Sequence, residues 1–313
     1  MPQLHCISLK TMREQPIPER TLLCLGNFDG VHLAHRELLN NAGAWRDRMF
    51  PELALGVFCF RELPADYLLP DPPKHLCSAS ERLELLAQCG MEYAILAEFP
   101  ELREFSPEAY VREILVDRCH CVAAACGFNH RFGTRASGSP ALLKAELNGN
   151  LLLTDAVLDQ GEPVSSTRIR KLLESGEAEE ATRLLGRPYL LRAPVLHGKE
   201  LGRKIGSPTV NQNFSRHSVI PRFGVYATDC RVGDRHYAGV SNVGIRPTVE
   251  REQAANCETY LLDFSGDLYG TEIGVSFLHF LRPEMKFDSV DALRAQIARD
   301  VVTVRSMPDV PCG

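Results

Sequence analysis

The sequence predicts an α/β domain built on a mostly parallel sheet, followed by an antiparallel β-barrel with one C-terminal helix. Three observations predict it. Apolar strand-like runs alternate with amphipathic helical stretches as far as about residue 186. Past Gly186-Arg187-Pro188 the texture changes to short β-rich runs spaced by turns. The length of 313 residues suits two domains, taken as 1–186 and 187–313.

In the first half, Thr21–Leu25 is a short apolar run ending at Gly26, and a helical pattern starts near Ala34 with Leu38, Leu39 and Ala42 on one face. Leu53–Phe60 reads as a buried strand. Ser78-Ala79-Ser80-Glu81 is a capping box, opening an amphipathic stretch that ends near Gly90. Tyr93–Phe99 reads as a strand, and Ser106 with Pro107 starts a helix reaching about Arg118. Cys121–Cys126 and Leu151–Leu158 complete the strands, before a helical pair at Arg168–Glu174 and Ala178–Leu185. In the second half Pro221–Asp229, His236–Asn242, Cys257–Phe264 and Glu272–Phe280 read as strands. Ser289–Asp300 is helical, with Val290, Leu293 and Ile297 on one face.

Lys+Arg 35 against Asp+Glu 40 gives a net charge of −5, so no basic excess exists to hold a nucleic-acid backbone. No run of about 18 apolar residues occurs, so no membrane helix is expected. The start, Met1-Pro2-Gln3-Leu4-His5, lacks a basic stretch followed by an apolar one, and a cytoplasmic location is expected. The 11 cysteines are odd in number, form no C-x-x-C pair and sit mostly within apolar runs. Free thiols in a reducing compartment fit this better than disulfides or zinc. The oligomeric state leaves no readable mark.

Gly26-Asn27-Phe28-Asp29-Gly30-Val31-His32-Leu33-Ala34-His35 lies between a strand and a helix. Ligands of open α/β folds bind past the C-terminal ends of strands, where a helix N-terminus offers free N–H groups to phosphate. Two histidines three apart would there stabilise charge on a nucleotide α-phosphate and its leaving pyrophosphate. The same segment also reads as a turn whose histidines cap the helix or bind a stray metal. Ser165-Ser166-Thr167-Arg168-Ile169-Arg170 is either a phosphate-binding set at a helix start or an ordinary cap with surface arginines. Gly127-Phe128-Asn129-His130-Arg131-Phe132-Gly133 is a polar strand exit flanked by glycines. From Gly198 to Asn211, glycines would let the backbone close on phosphates, Arg203 and Lys204 would balance charge, and Thr209 and Asn211 carry hard oxygens suited to Mg2+. A glycine-rich turn with solvated charges is the plainer reading of the Gly-Arg part.

The order GNFDGVHxxH, GFNHRFG, SSTRIR resembles the Rossmann-like nucleotidyltransferase domain of bacterial bifunctional riboflavin kinase/FAD synthetases. Pro208-Thr209-Val210-Asn211, Asn242-Val243-Gly244-Ile245-Arg246-Pro247-Thr248 and Glu258-Thr259-Tyr260-Leu261-Leu262-Asp263-Phe264 resemble the family's riboflavin kinase domain, from about residue 188 to 300. The resemblance implies phosphorylation of riboflavin by ATP to FMN in the barrel, then transfer of AMP from ATP to FMN in the first domain, giving FAD. By the same resemblance His32 and His35 would contact ATP phosphates, with Gly26, Phe28, Asp29, Gly30, Asn129, Ser166, Thr167 and Arg170 around the nucleotide. In the barrel, Gly198, Gly202, Arg203, Gly206 and Pro208 would hold ATP. Thr209 and Asn211 would bind Mg2+, Glu258 would be the general base on the riboflavin 5′-hydroxyl, and Arg246 and Arg282 would contact the flavin. The implied partners are small molecules (riboflavin, FMN and ATP), with no nucleic acid and no membrane.

The chain departs from the family pattern at four places. Ala34 stands where the two-histidine motif has glycine, and Phe58-Cys59-Phe60-Arg61-Glu62-Leu63-Pro64 replaces an F-x-P-H-P-like run. His130 stands where an aromatic is commoner, and Ser207 replaces a phenylalanine. Two alternatives stay open: a riboflavin kinase with a degenerate or repurposed first domain, and a non-catalytic flavin-binding regulator. Against the second, binding alone has no need of a base at Glu258, which otherwise reads as an outward glutamate on an edge strand.

Overall fold

The computed structural model describes residues 4–14, 17–197, 209–245 and 255–311. The chain divides into two compact units, Met1–Ser166 and Thr167–Gly313.

In the first unit β1 (His5–Ser8), β2 (Thr21–Leu25), β3 (Ala54–Phe60), β4 (Tyr93–Ala97), β5 (Cys121–Gly127) and β6 (Leu151–Thr154) form one parallel sheet. Its order is β1-β4-β3-β2-β5-β6. Helices α1 (Leu33–Met49), α2 (Pro64–Leu68), α3 (Ala79–Gln88), α4 (Phe99–Leu102), α5 (Pro107–Ala109) and α6 (Pro140–Glu146) connect the strands. All five residues of β2 are buried because both faces of a parallel sheet are covered. On one face Leu38, Leu39 and Ala42 of α1 and Leu85 and Leu86 of α3 pack on Leu22, Cys24, Val57 and Ala125. On the other, Tyr110, Val111, Ile114 and Leu143 pack on Leu23, Leu25, Ile95 and Cys126.

The serine caps read from the sequence are in place: Ser78 Oγ accepts from Glu81 N at 3.1 Å and Ser106 Oγ from Ala109 N at 3.1 Å. After α5 the chain continues as a π-helix over Tyr110–Arg118, closed by Cys119 N donating to Ile114 O at 3.0 Å. The expected strand Leu151–Leu158 is broken. β6 ends at Thr154, and β7 (Leu158–Asp159) and β8 (Glu162–Pro163) form a small hairpin. Its Gln160-Gly161 turn takes φ of 52° and 84°, the left-handed pair that a two-residue hairpin requires.

Helix α7 (Ser166–Ser175) straddles the division, and α8 (Ala178–Leu185) lies within the second unit. The pair expected at Arg168–Glu174 and Ala178–Leu185 is tied to the strands that follow, with Arg222 N donating to Leu173 O at 2.9 Å. Strands β9 (Tyr189–Pro194), β10 (Thr209–Asn213), β11 (Gly224–Val232), β12 (Arg235–Ile245), β13 (Ala255–Leu261) and β14 (Glu272–Arg282) form an antiparallel sheet in the order β10-β13-β12-β11-β14-β9. The two outer strands meet in a seam. Leu196 N donates to Asn211 O at 2.7 Å, and Gln212 Nε2 donates to Ala193 O at 2.6 Å and Ile273 O at 3.0 Å. The enclosed side carries Tyr226 and Phe277 and a hydroxyl relay, Thr228–Ser241–Thr259, with both contacts at 2.8 Å. Helix α9 (Val290–Arg305) covers the outer face, Val304 packing with Val225, Ala227 and Val240. It runs past the expected end at Asp300 because Val301 and Val304 continue the apolar stripe.

On β14, His279 joins three segments. Its Nδ1 lies 2.7 Å from Glu179 Oε1 of α8 and its Nε2 lies 2.8 Å from Asp309 Oδ2. Partial burial opposes the charge, but the Asp309 and Glu179 carboxylates outweigh it and raise the pKa above 6.5. A raised folded-state pKa stabilises fully below the unfolded value, and that stability is lost as pH rises through the folded one. We expect the advantage of wild type over His279→Gln in urea unfolding to be greatest near about pH 6 and to fade by about pH 9. An advantage that grew with pH would place the imidazolium elsewhere.

Candidate active sites

The first unit's chain leaves β2 for β3 and β4 on one side and returns to β5 on the other, so strand order reverses between β2 and β5. A crevice opens at the carboxyl ends of such strands. The Gly26–His35 loop leaves β2 there, and Gly127–Gly133 leaves β5 beside it. His32 is the N-cap of α1: its Nδ1 accepts from His35 N at 3.4 Å, which puts the ring proton on Nε2. The two imidazoles stack with centroids 3.7 Å apart, and the Phe28 ring meets His35 edge-on at 5.3 Å. Burial first, and the neighbouring His32 second, push the His35 pKa well below 6.5, so this imidazole is neutral at neutral pH. Its Nδ1 is buried and has no hydrogen-bond partner.

The loop itself is held in a costly shape. Phe28, Gly30 and Val31 take φ of 53°, 79° and 39°, a region that a β-branched residue such as valine seldom enters. Several ties impose it. Asp29 Oδ1 accepts from Leu76 N at 2.9 Å, and Asp29 O accepts from Ser166 Oγ at 3.0 Å. Gly30 N donates to Cys77 Sγ at 3.3 Å, and Arg36 Nε to Val31 O at 3.2 Å. Across the crevice Asn129 is exposed just past β5. The next residue, His130, is pushed down to about 4 by burial and then by Arg131, and its Nε2 has no partner.

In the second unit, register builds the site. Asn211 of β10 pairs with Glu258 of β13, and Glu258 pairs with Asn242 of β12. Directly opposed residues share a face, so Asn211, Glu258 and Asn242 form one polar row across three adjacent strands. Asn256, two residues before Glu258 and on the same face, donates from Nδ2 to Glu258 Oε1 at 3.4 Å. Asn242 Nδ2 donates to Glu284 Oε1 at 3.2 Å. Asn211 is buried, and its Oδ1 has no hydrogen-bond partner. Because β13 lies between β10 and β12, Glu258 is not on an edge strand.

Residues 14–168 match the family model for FAD synthetase, and residues 185–307 match that for riboflavin kinase. The bifunctional riboflavin kinase/FMN adenylyltransferase of Listeria monocytogenes is 33% identical over 290 residues, covering 91% of each chain. Its counterpart from Escherichia coli K12 is 36% identical over 295 residues, covering 92% of each. The chain belongs to the bifunctional riboflavin kinase/FMN adenylyltransferase family. A Streptococcus pneumoniae crystal structure described as a macrolide-efflux protein superposes with a TM-score of 0.89 at 30% identity, covering 96% of this chain and 99% of that one. That description belongs to the neighbour: among the described residues of this family member, no helix is long and apolar enough to cross a membrane.

The structure of this bifunctional kinase/adenylyltransferase homologue brings Gly26, Phe28, Asp29, Gly30, His32, His35 and Ser166 together through the contacts given above. Two of them have tasks the sequence did not suggest. Phe28 is buried against His35 rather than open to a ligand, and the Asp29 carboxylate caps the main chain at Leu76. Thr167 is exposed and Arg170 half-buried on α7, in the second unit. Thr209 begins β10, half-buried. Arg282 is bound bidentately to the buried Asp300 of α9, with Nη2–Oδ2 at 2.8 Å and Nε–Oδ1 at 3.1 Å. Gly198, Gly202, Arg203, Gly206, Pro208 and Arg246 lie outside the described residues. Arg61, at the altered F-x-P-H-P position, pairs with Glu98 at 2.9 Å.

Sequence reading missed Arg82. From inside α3 its Nη1 donates to Asn27 O at 3.1 Å, and its Nη2 to Phe60 O at 2.7 Å and Arg61 O at 2.8 Å. It thereby clamps the histidine loop to the exit of β3. No motif marks it, since a helical arginine is ordinarily a surface residue. We expect Arg82→Met to cost about 3 kcal/mol in denaturant unfolding by leaving buried carbonyls unpaired. FAD formation should fall further than FMN formation, and equal losses would make Arg82 a fold element alone.

Proposed function

We propose that residues 187–313 phosphorylate riboflavin with ATP to give FMN, and that residues 1–186 then transfer AMP from a second ATP to FMN, releasing pyrophosphate. The observation that carries this reading is the presence on one chain of two polar constellations: the His32–His35 stack at the strand-order reversal, where open α/β sheets bind ligands, and the Asn211–Glu258–Asn242 row on the barrel. In the first reaction the Glu258 carboxylate takes the proton of the riboflavin 5′-hydroxyl as that oxygen bonds to the γ-phosphorus of ATP and ADP departs. In the second, an FMN phosphate oxygen attacks the α-phosphorus. The neutral His35 imidazole and the His32 ring, with the free N–H groups of the α1 start, donate to the phosphate oxygens as charge moves to pyrophosphate.

Asn211 and Thr209 are the residues we assign to Mg2+. The buried, unpartnered Oδ1 of Asn211 is a hard oxygen that fits such a cation. Bound there, Mg2+ would neutralise phosphate charge. All ten described cysteines are free, which suits a cytoplasmic enzyme.

The test is a time course with riboflavin, ATP and Mg2+, resolved by chromatography. FMN should rise and give way to FAD. Accumulation of FMN with no FAD, even from supplied FMN, would favour the reading in which the first domain, with its Ala34 and Arg61, has lost adenylyl transfer. Absence of both products would move a binding role to the front.

A further inference from the structure

Thr154 ends β6 opposite Gly127 of β5, and its carbonyl accepts from Phe128 N at 3.0 Å. The main chain is thus satisfied while the side chain is not: Oγ1 is buried and has no hydrogen-bond partner. A folded chain rarely leaves a buried hydroxyl in that state, and valine would occupy the same space without the penalty.

Register gives its surroundings. Alternate strand residues share a face, so Thr154 faces the same side as Leu152, which packs against the cluster holding α1. Next to Thr154 along the rim of the sheet stands Gly127, which follows Cys126. Then comes Gly26, which follows Leu25, the register partner of Cys126. Neither glycine has a side chain. A Cβ on Gly26 would stand 3.1 Å from the Phe28 ring, and one on Gly127 would stand 3.4 Å from Asn129 Oδ1. Over the same face lies the first turn of α1 with the unpartnered His35 Nδ1. Two orphaned polar atoms therefore share one face and one carboxyl edge, with two glycine positions between them, over which the Phe28 ring and Asn129 fold closely.

We infer that Thr154 is a further substrate-contacting residue of the adenylyl-transfer site, its hydroxyl hydrogen-bonding the nucleoside part of bound ATP. Strand spacing separates it from the phosphate end: β6 lies two strands from β2, about 10 Å. With phosphates at the α1 start, that span reaches the sugar or base. A hydroxyl both donates and accepts, so either is a suitable partner. The inference rests on the adenylyl-transfer reading of the first unit.

Thr154→Val and Thr154→Ser test it in the full-length protein, with FAD formation measured from supplied FMN. The valine variant should raise the KM for ATP roughly three- to tenfold, the equivalent of one neutral hydrogen bond. The KM for FMN and the rate of riboflavin phosphorylation should not change. Serine should restore the KM for ATP. Without ligand, the valine variant should melt no lower than wild type, since it removes a buried orphan. An unchanged KM for ATP in the valine variant, or a serine variant as impaired as valine, would overturn the role of Thr154 and leave the adenylyl-transfer reading standing. A wild-type protein that makes no FAD would overturn both.

Discussion

Glu258→Gln should lower riboflavin phosphorylation by about 10²- to 10⁴-fold, the range of a removed general base. The substitution keeps shape and hydrogen bonding while removing the proton acceptor. Glutamine can still accept from Asn256 Nδ2, the contact made now at 3.4 Å, and β13 keeps its neighbours on both sides. Riboflavin binding should survive and the unfolding midpoint should hold. FAD formation from supplied FMN, which belongs to the other half, should stay at the wild-type rate. Rates of FMN appearance, followed beside a riboflavin-binding titration, decide the matter. Undiminished turnover would leave the carboxylate as a polar wall with no part in proton transfer.

His35→Ala should reverse the phenotype, with FMN accumulating and FAD formation reduced by about 10²- to 10³-fold, as for a lost donor to a developing oxyanion. Its ring sits between the His32 face and the Phe28 edge, so alanine also leaves His32 without its stacking partner. The pH profile supplies a second readout. Burial and His32 hold the His35 pKa well below 6.5, so His35 is already neutral throughout the physiological range. The FAD-forming rate should therefore be flat from about pH 6.5 upward as far as this residue is concerned. A rate that climbed as pH fell through that region would make imidazolium the acting form.

Much of the fold could be read from the sequence because its signals are local. Apolar runs gave β2, which ends at Gly26, and β3, and serines followed by a proline or a third-position glutamate gave the helix starts. Besides β9, which directly follows the Gly186-Arg187-Pro188 boundary, what escaped was short or polar. β1 is an edge strand of four residues, and β10 is Thr-Val-Asn-Gln-Asn, whose strand state comes from pairing with β13 rather than from propensity. The site divides in the same way. The histidine loop is a contiguous motif and was legible. The Asn211–Glu258–Asn242 row, the Arg82 clamp and the buried hydroxyl of Thr154 depend on register between distant segments, which no spacing within a motif encodes. Arg282 shows the converse limit: a residue in a recognisable run turns out to be bound to Asp300, eighteen positions later.

Asn211 has a double employment. Its main-chain oxygen is one side of the seam that shuts the barrel, and its side-chain oxygen faces the polar row on the outside. Whatever the side chain grips restrains the strand on which closure depends. Breathing of the barrel and vacancy of the site are then one equilibrium, and occupancy lends rigidity to the very join that the polar sequence of β10 leaves weak.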